Sequence, residues 1–345
     1  MVIRSIPISA LALFGTITIL VTGISSITVG PMNISLWQSI QSLLFHSEQL
    51  APHINLVIHE IRFPRTLLCM LVGAILALCG CVMQGLFRNP LAEPGIIGVS
   101  AGASLGAALA IVAFADISQQ YPQFMDLAAI PSFAFLGGAV TTILVYKLGT
   151  NKMGTSVTIM LLAGVAISAL SGAGIGYMSF VASDQMLRDL SLWSMGSLAG
   201  ASWAGILLCA ITLTLLLVMF VRKAMALNAL LLGEAEAAHL GIPVQRLKRQ
   251  LILLTAAGVG ITVSVSGMIG FVGLVIPHLG RMLAGPDHRT LLPISALLGA
   301  LLLTLADMLS RVVVAPAELP VGIVTALIGA PFFIYLLFKQ KGKIL

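Results

Sequence analysis

The chain has 345 residues, of which 59% are hydrophobic and 9% charged, with a formal net charge of +6 and a mean hydropathy of +1.08. A soluble domain carries about a quarter of its residues as charges, so the composition excludes a soluble enzyme or a nucleic-acid-binding module and points to an all-α polytopic membrane protein. The basic excess is then read through the side of the membrane on which it falls.

A spanning helix needs about 20 apolar residues. On that ruler roughly ten spans fall near 7–29, 65–86, 96–115, 128–148, 155–180, 202–221, 250–268, 270–284, 291–311 and 321–338. Arg4 followed by an apolar run imitates a secretion signal, but with so many spans behind it the run reads as an uncleaved first helix. With the N-terminus inside, 14 of the 18 Lys and Arg residues fall on the cytoplasmic side, leaving Arg62, Arg65, Arg188 and Arg311 outside. The longest outer segment, 30–64, holds His46, His53 and His59, whose spacing matches no helical ligand pair; ordinary interfacial residues are the simpler reading. Gly98, Gly102 and Gly106 form a small-residue ladder that lets membrane helices approach closely. Cys69, Cys79, Cys81 and Cys209 lie in apolar runs, and side chains two apart on a helix diverge by about 200°, so they read as small packing residues.

The longest polar interruption is Arg222 to Arg249. Leu227, Leu230 and Leu231 keep helical spacing, Gly233 breaks the run, and Glu234 and Glu236 open a second short helix, where carboxylates suit the positive end of the dipole. Ala235, Ala238 and His239 continue it until Gly241-Ile-Pro243. Two short helices are thus expected between basic clamps, Arg222 and Lys223 before them and Arg246, Lys248 and Arg249 behind. Such a module at the mouth of a bundle is a docking site for a soluble partner; a helical loop lying on lipid is the alternative.

Signs of chemistry within the chain are few. Gly149 to Ser156 has phosphate-loop glycine spacing, yet Thr155 occupies the lysine position and a hydrophobic span, not a buried strand, precedes it. His59-Glu60 lacks the second histidine of a zincin, and no nucleophile–base pair stands in the spans. No catalytic or metal-ligating residue is assigned. Asp307 and Arg311 lie one turn apart and can neutralise each other, and His278 after Pro277 reads as a hydrogen-bonded packing residue. Met153, Met160, Met178, Met186 and Met195 lie in the fifth span and its flanks, where adaptable side chains suit either packing or a pathway for a bulky apolar ligand.

Arg62-Phe-Pro-Arg65, Gly80-Cys-Val-Met-Gln84, Arg88-Asn-Pro-Leu-Ala-Glu-Pro-Gly95, Leu232-Gly-Glu234, His239-Leu-Gly241, Gly270-Phe-Val-Gly-Leu-Val-Ile-Pro-His278, Pro286-Asp-His-Arg289 and Ala317-Glu-Leu-Pro-Val-Gly322 occur in order. With them the chain resembles, from residue 60 onward, the permease subunits of bacterial ATP-driven importers of iron–siderophores, haem and vitamin B12. The resemblance implies a type II importer permease: one transmembrane domain over 1–345, with a coupling-helix module at about 222–249, multi-pass in the bacterial inner membrane. It implies a second copy of the chain, two ATP-binding subunits below, and a periplasmic substrate-binding protein above. The chain itself would be non-catalytic, with no permanently bound cofactor; ATP is used by the partner subunits.

Residue by residue, the resemblance assigns ATPase coupling to Gly233, Glu234, Ala235, Glu236, Ala238, His239, Leu240 and Gly241. It assigns binding-protein docking to Arg62, Arg65 and Arg311, where a guanidinium fork grips a carboxylate, and a cytoplasmic gate to Gly154, Thr155 and Ser156. Gln185 to Leu198 and Leu227 to Glu236 look most like the haem branch, with Arg188, Met178 and Met195 as candidate pathway residues and Arg188 placed to meet a propionate. The competing reading of Arg188 is a salt bridge to Asp184 or Asp189. An iron–siderophore or, less well, vitamin B12 is the alternative substrate; Arg88 departs from the B12 type. An ion-coupled secondary transporter is the alternative of another class, and it calls for a carboxylate cluster at mid-membrane.

Overall fold

A computed structural model describes residues 8–45, 50–151 and 154–341. The apolar runs become helices: α1 (Ile8–Thr28), α2 (Phe63–Leu86), α3 (Val99–Ala113), α4 (Ile130–Leu148), α5 (Val157–Val181), α6 (Asp184–Ser194), α7 (Trp203–Arg222), α8 (Ala224–Leu232), α9 (Glu234–His239), α10 (Val244–Ser266), α11 (Val272–Ala284), α12 (His288–Val312) and α13 (Val321–Lys341). Short caps set several starts. Ser156, Ser183 and Ser202 accept backbone N–H groups at the heads of α5, α6 and α7, and Asp287 does so for α12.

Among the described residues, eight segments are long and apolar enough to cross a membrane, and α3 and α11 are shorter apolar helices. At about 1.5 Å per residue, the 15 residues of α3 and 13 of α11 fall short of a hydrocarbon core about 30 Å thick. The ten expected spans are therefore eight full helices and two short ones, each entered through bent backbone. Ahead of α3, Pro94–Ile97 winds as a 3-10 turn and Gly98 adopts φ 81°; ahead of α11, Gly267 has φ 65° and Phe271 φ 67°. The two bends meet where the Phe271 N–H donates to Glu93 Oε1 at 3.1 Å. Non-helical backbone at such depth survives only when packed in protein.

The core is built around α2, 83% of whose apolar window is buried, against 22% in α5. It packs on α7, α10, α11 and α12. Close approach is made by glycine: Gly73 faces Gly299 and Gly80 faces Gly273, leaving no room for a Cβ. The ladder on α3 meets α4 in the same way through Gly102, Gly106 and Gly137. Cys79 and Cys81 are buried and free, as are Cys69 and Cys209. α5 and α13 keep wide apolar faces outward, including Leu162, Val165, Leu170 and Phe180 on the one and Leu327, Ile334 and Phe338 on the other.

Candidate coupling and gating site

The polar interruption forms two short helices, α8 and α9, hinged at Gly233. Gly233 has φ 138° and ψ 155°, a conformation essentially confined to glycine. The neighbours of an added Cβ would be Glu236 Cγ at 3.8 Å and Arg88 at 4.0 Å, so the backbone, not space, demands the residue. Leu227 and Leu230 anchor α8 in the core while Leu231 turns outward. On α9 and its exit, Ala235, Glu236, Ala238, His239, Leu240 and Gly241 are exposed, and Leu232 and Leu240 present apolar side chains to the outside.

Three polar joints fix this module to the bundle. Lys223 Nζ donates to Gln250 Oε1 at 2.6 Å. Asn228 donates to Asp287 Oδ1 at 2.6 Å and accepts from the His288 backbone N–H at 2.9 Å and from His288 Nδ1 at 2.8 Å. The Arg289 N–H and then the Asn228 amide hold the Asp287 carboxyl below the usual aspartate range. In the third joint Glu234 Oε1 lies 2.5 Å from Lys248 Nζ, which also donates to the Thr155 carbonyl at 2.9 Å.

Thr155 belongs to the segment 154–156. Thr150–Asn151 and Gly154–Thr155 pair antiparallel as a minimal hairpin between α4 and α5, with the two threonine hydroxyls 3.0 Å apart. The Thr155 N–H donates to Gln245 Oε1 at 2.8 Å, so both polar groups of this one residue's backbone are held by α10. Thr155 is buried, and Ser156 serves as the cap of α5. Met153 lies outside the described residues.

Two expectations are corrected here. Lys248, anticipated among the basic clamps, is 2% exposed and turned inward. The seventh span begins as a helix at Val244, six residues before the expected boundary at 250, because Gln245 and Lys248 find internal partners.

At the other end, Arg62, Arg65 and Arg311 are also buried. Arg65 makes a forked contact with Asp307, with Nη2 to Oδ1 at 2.9 Å, and reaches Glu318 at 2.6 Å. Arg311 pairs with the other oxygen of Asp307 and donates to the Ser26 carbonyl at 3.0 Å. Arg62 donates to the carbonyls of Ile27, Thr28 and Met32 at 2.9, 2.7 and 2.5 Å. The carbonyls of Ile27 and Thr28 close the C-terminal end of α1, where cations complement the helix dipole, and Met32 lies in the turn beyond it. The three guanidinium groups, expected at the binding-protein interface, are thus engaged by groups of this chain. Of the two carboxylates in the cluster, Asp307 is sealed and Glu318 is partly open.

The pathway residues differ in exposure. Arg188 is exposed on α6, and neither Asp184 nor Asp189 is in ion-pair distance among the described residues; Asp189 instead accepts from Gln185 at 3.0 Å. Met178 packs inward with Ala108, Ile111 and Leu190, as does Met186, whereas Met195 is 40% exposed. Met160 is fully buried. His278 stacks edge-on to Phe332, and His59 Nε2 lies 3.2 Å from the Ser42 carbonyl; His46 falls outside the described residues.

Asn228 and Asp287, which form the second joint, and Gln245, which holds the Thr155 N–H, were not singled out from sequence. The available signal was the apolar face of Val244, Leu247 and Leu251, on which Lys248 sits at i+4 from Val244.

The profile of the FecCD transport family matches residues 18–339. The hemin transport system permease protein HmuU of Yersinia pestis is 45% identical over 284 residues, covering 82% of this chain and 84% of that protein. The vitamin B12 import system permease protein BtuC of Vibrio cholerae is 40% identical over 287 residues, covering 83% and 84%. A solved metal-chelate type ABC transporter in an inward-facing conformation superposes with a TM-score of 0.82 at 34% identity, over 96% of this chain and all of the other.

Proposed function

Because the chain belongs to the FecCD transport family, and is therefore the permease of a type II ABC importer, we propose that it carries haem from periplasm to cytoplasm across the bacterial inner membrane. The observation that supports haem is the 45% identity to the hemin permease, set against 40 to 42% to vitamin B12 permeases. In this reading two copies enclose the pathway, and an ATP-binding subunit sits beneath each. The exposed residues of α9, from Ala235 to Gly241 with Glu234 at their head, enter a cleft of that subunit. Nucleotide binding drives the ATPase pair between two states, and the module passes the difference on. No covalent step is required of this chain.

The hairpin at Gly154 to Ser156 serves as the inner gate. At the outer end the binding protein contacts Arg65, where one of its acidic residues takes the place of Glu318, and Arg62 and Arg311 support that arginine from within. Arg188 and Met195 face the entering ligand.

Uptake into proteoliposomes holding the chain, its ATPase and its binding protein tests the substrate. Haem, a ferric siderophore and vitamin B12 are compared with and without ATP. ATP-dependent uptake of haem alone is expected; uptake of the siderophore or B12 alone replaces the substrate and leaves the importer. Uptake of any of them without ATP overturns the mechanism.

A further inference from the structure

We propose that Lys248 is a positioning residue that ties the coupling helix to the gate hairpin, so that Glu234, Lys248 and Thr155 move as one unit. The proposal rests on the functional reading above and adds the route by which α9 reaches the gate.

Lys248 is 2% exposed, and an ammonium held away from water needs a counter-charge and acceptors. It has one carboxylate, Glu234 at 2.5 Å, and one carbonyl, Thr155 at 2.9 Å, the latter 93 residues away in sequence. If Glu234 left with α9, a buried cation would remain with only a neutral dipole. If the hairpin left instead, the ammonium would lose that carbonyl. Either separation raises the energy, so displacement of α9 carries the hairpin with it.

Gln245 makes the hairpin end stiff. One turn before Lys248 on α10, it receives the Thr155 N–H at 2.8 Å while Lys248 holds the Thr155 carbonyl. Two grips on one peptide unit's flanking groups fix its orientation as well as its position. Gly154, with φ 126°, lies against the Gln245 amide and supplies the bend that lets Thr155 face α10. The other joints, Lys223–Gln250 and Asn228–Asp287, hold α8 and do not touch the hairpin. Among the described residues, α9 reaches segment 154–156 by hydrogen bond or ion pair through Lys248.

The test uses the full complex in proteoliposomes, with Asn151→Cys spin-labelled in both copies so that the distance between the two hairpins is read with and without ATP. Lys248→Met keeps the length of the side chain and removes its charge and donors. The expected result is a complex that assembles and hydrolyses ATP while substrate moved per ATP falls at least tenfold and the ATP-dependent distance change disappears. Lys248→Arg, which retains charge and donors, should recover at least a third of the parent ratio. Glu234→Gln serves if Lys248→Met does not accumulate, and should reduce the ratio several-fold with a smaller distance change. A Lys248→Met or Glu234→Gln complex that transports per ATP within twofold of the parent, with the distance change intact, overturns the relay. Failure of the parent chain to bind an ATPase at all would instead sink the functional reading, so the two failures are distinguishable.

Discussion

The two ends of the molecule each bury arginine or lysine against carboxylate, and they do so differently. At the outer end Asp307, fully enclosed, is shared by Arg65 and Arg311, and Arg62 and Arg311 cap the carbonyl end of α1. Every fork is occupied, and the contacts cross α1, α2 and α12 in a closed net. At the inner end one buried lysine meets one carboxylate on a six-residue helix, and that carboxylate is 39% exposed. The first arrangement locks three helices together; the second leaves one partner on a piece small enough to be pushed. Charge burial thus serves as a clamp at one end and as a joint at the other.

The largest effect should come from breaking the clamp. Asp307→Asn leaves two buried guanidinium groups without their shared counter-charge, a loss of about 3–5 kcal/mol for a broken buried pair. The expected outcome is a lower melting temperature in detergent and little monodisperse protein; a stable variant would show that the outer end is not a clamp. Next comes Asn228→Ala, which strips partners from the nearly sealed His288 and should cost about 1–3 kcal/mol. Hydrogen exchange across 224–232 should rise in that variant while 26–32 stays protected. The same joint has a pH signature. The folded Asp287 carboxyl is held below its ordinary value, so its stabilising contribution is complete above the unfolded range of about pH 3.9 and is lost as pH falls through the lowered folded value. Protection of 224–232 should fall as the pH is lowered from 5 to 3, and protection that rises over that range would contradict this sign. The smallest effect belongs to Glu318→Gln, a partly open pair of about 1 kcal/mol or less. It should leave the melting temperature nearly unchanged and tighten docking of the binding protein; weaker docking would remove the exchange proposed at Arg65.

The same contrast explains what could be read from the chain. Helices were legible because apolar length and punctuation are local: Gly233 and Gly241-Ile-Pro243 mark both ends of α9 without reference to anything distant. The shortness of α11 was visible in its expected bounds of 270–284, whereas α3 was expected at full length over 96–115 because the apolar Ile96 and Ile97 of the bend extend its run. The direction of a charged side chain was not legible at all. Lys248 near a cytoplasmic boundary looks like a lipid-facing clamp until Thr155, 93 residues earlier, is placed beside it. Arg65 looks available until Asp307, 242 residues later, takes its fork. Asp307–Arg311 was the exception, because its partners lie one turn apart. The family resemblance supplied roles for motifs, and the packing shows which of those side chains are already engaged.

Coupling through the hinge is the point on which the account stands most directly, and the number of haem molecules moved per ATP hydrolysed measures it. Gly233→Ala meets no steric obstacle yet forces a side chain into a backbone conformation that costs about 1–3 kcal/mol. It should therefore redirect α9 without disturbing the core. The parent complex is expected to take up haem only with ATP, and the Gly233→Ala complex to hydrolyse ATP still while its ratio of haem to ATP falls several-fold. An unchanged ratio in that variant would contradict the claim that force enters this bundle through α9.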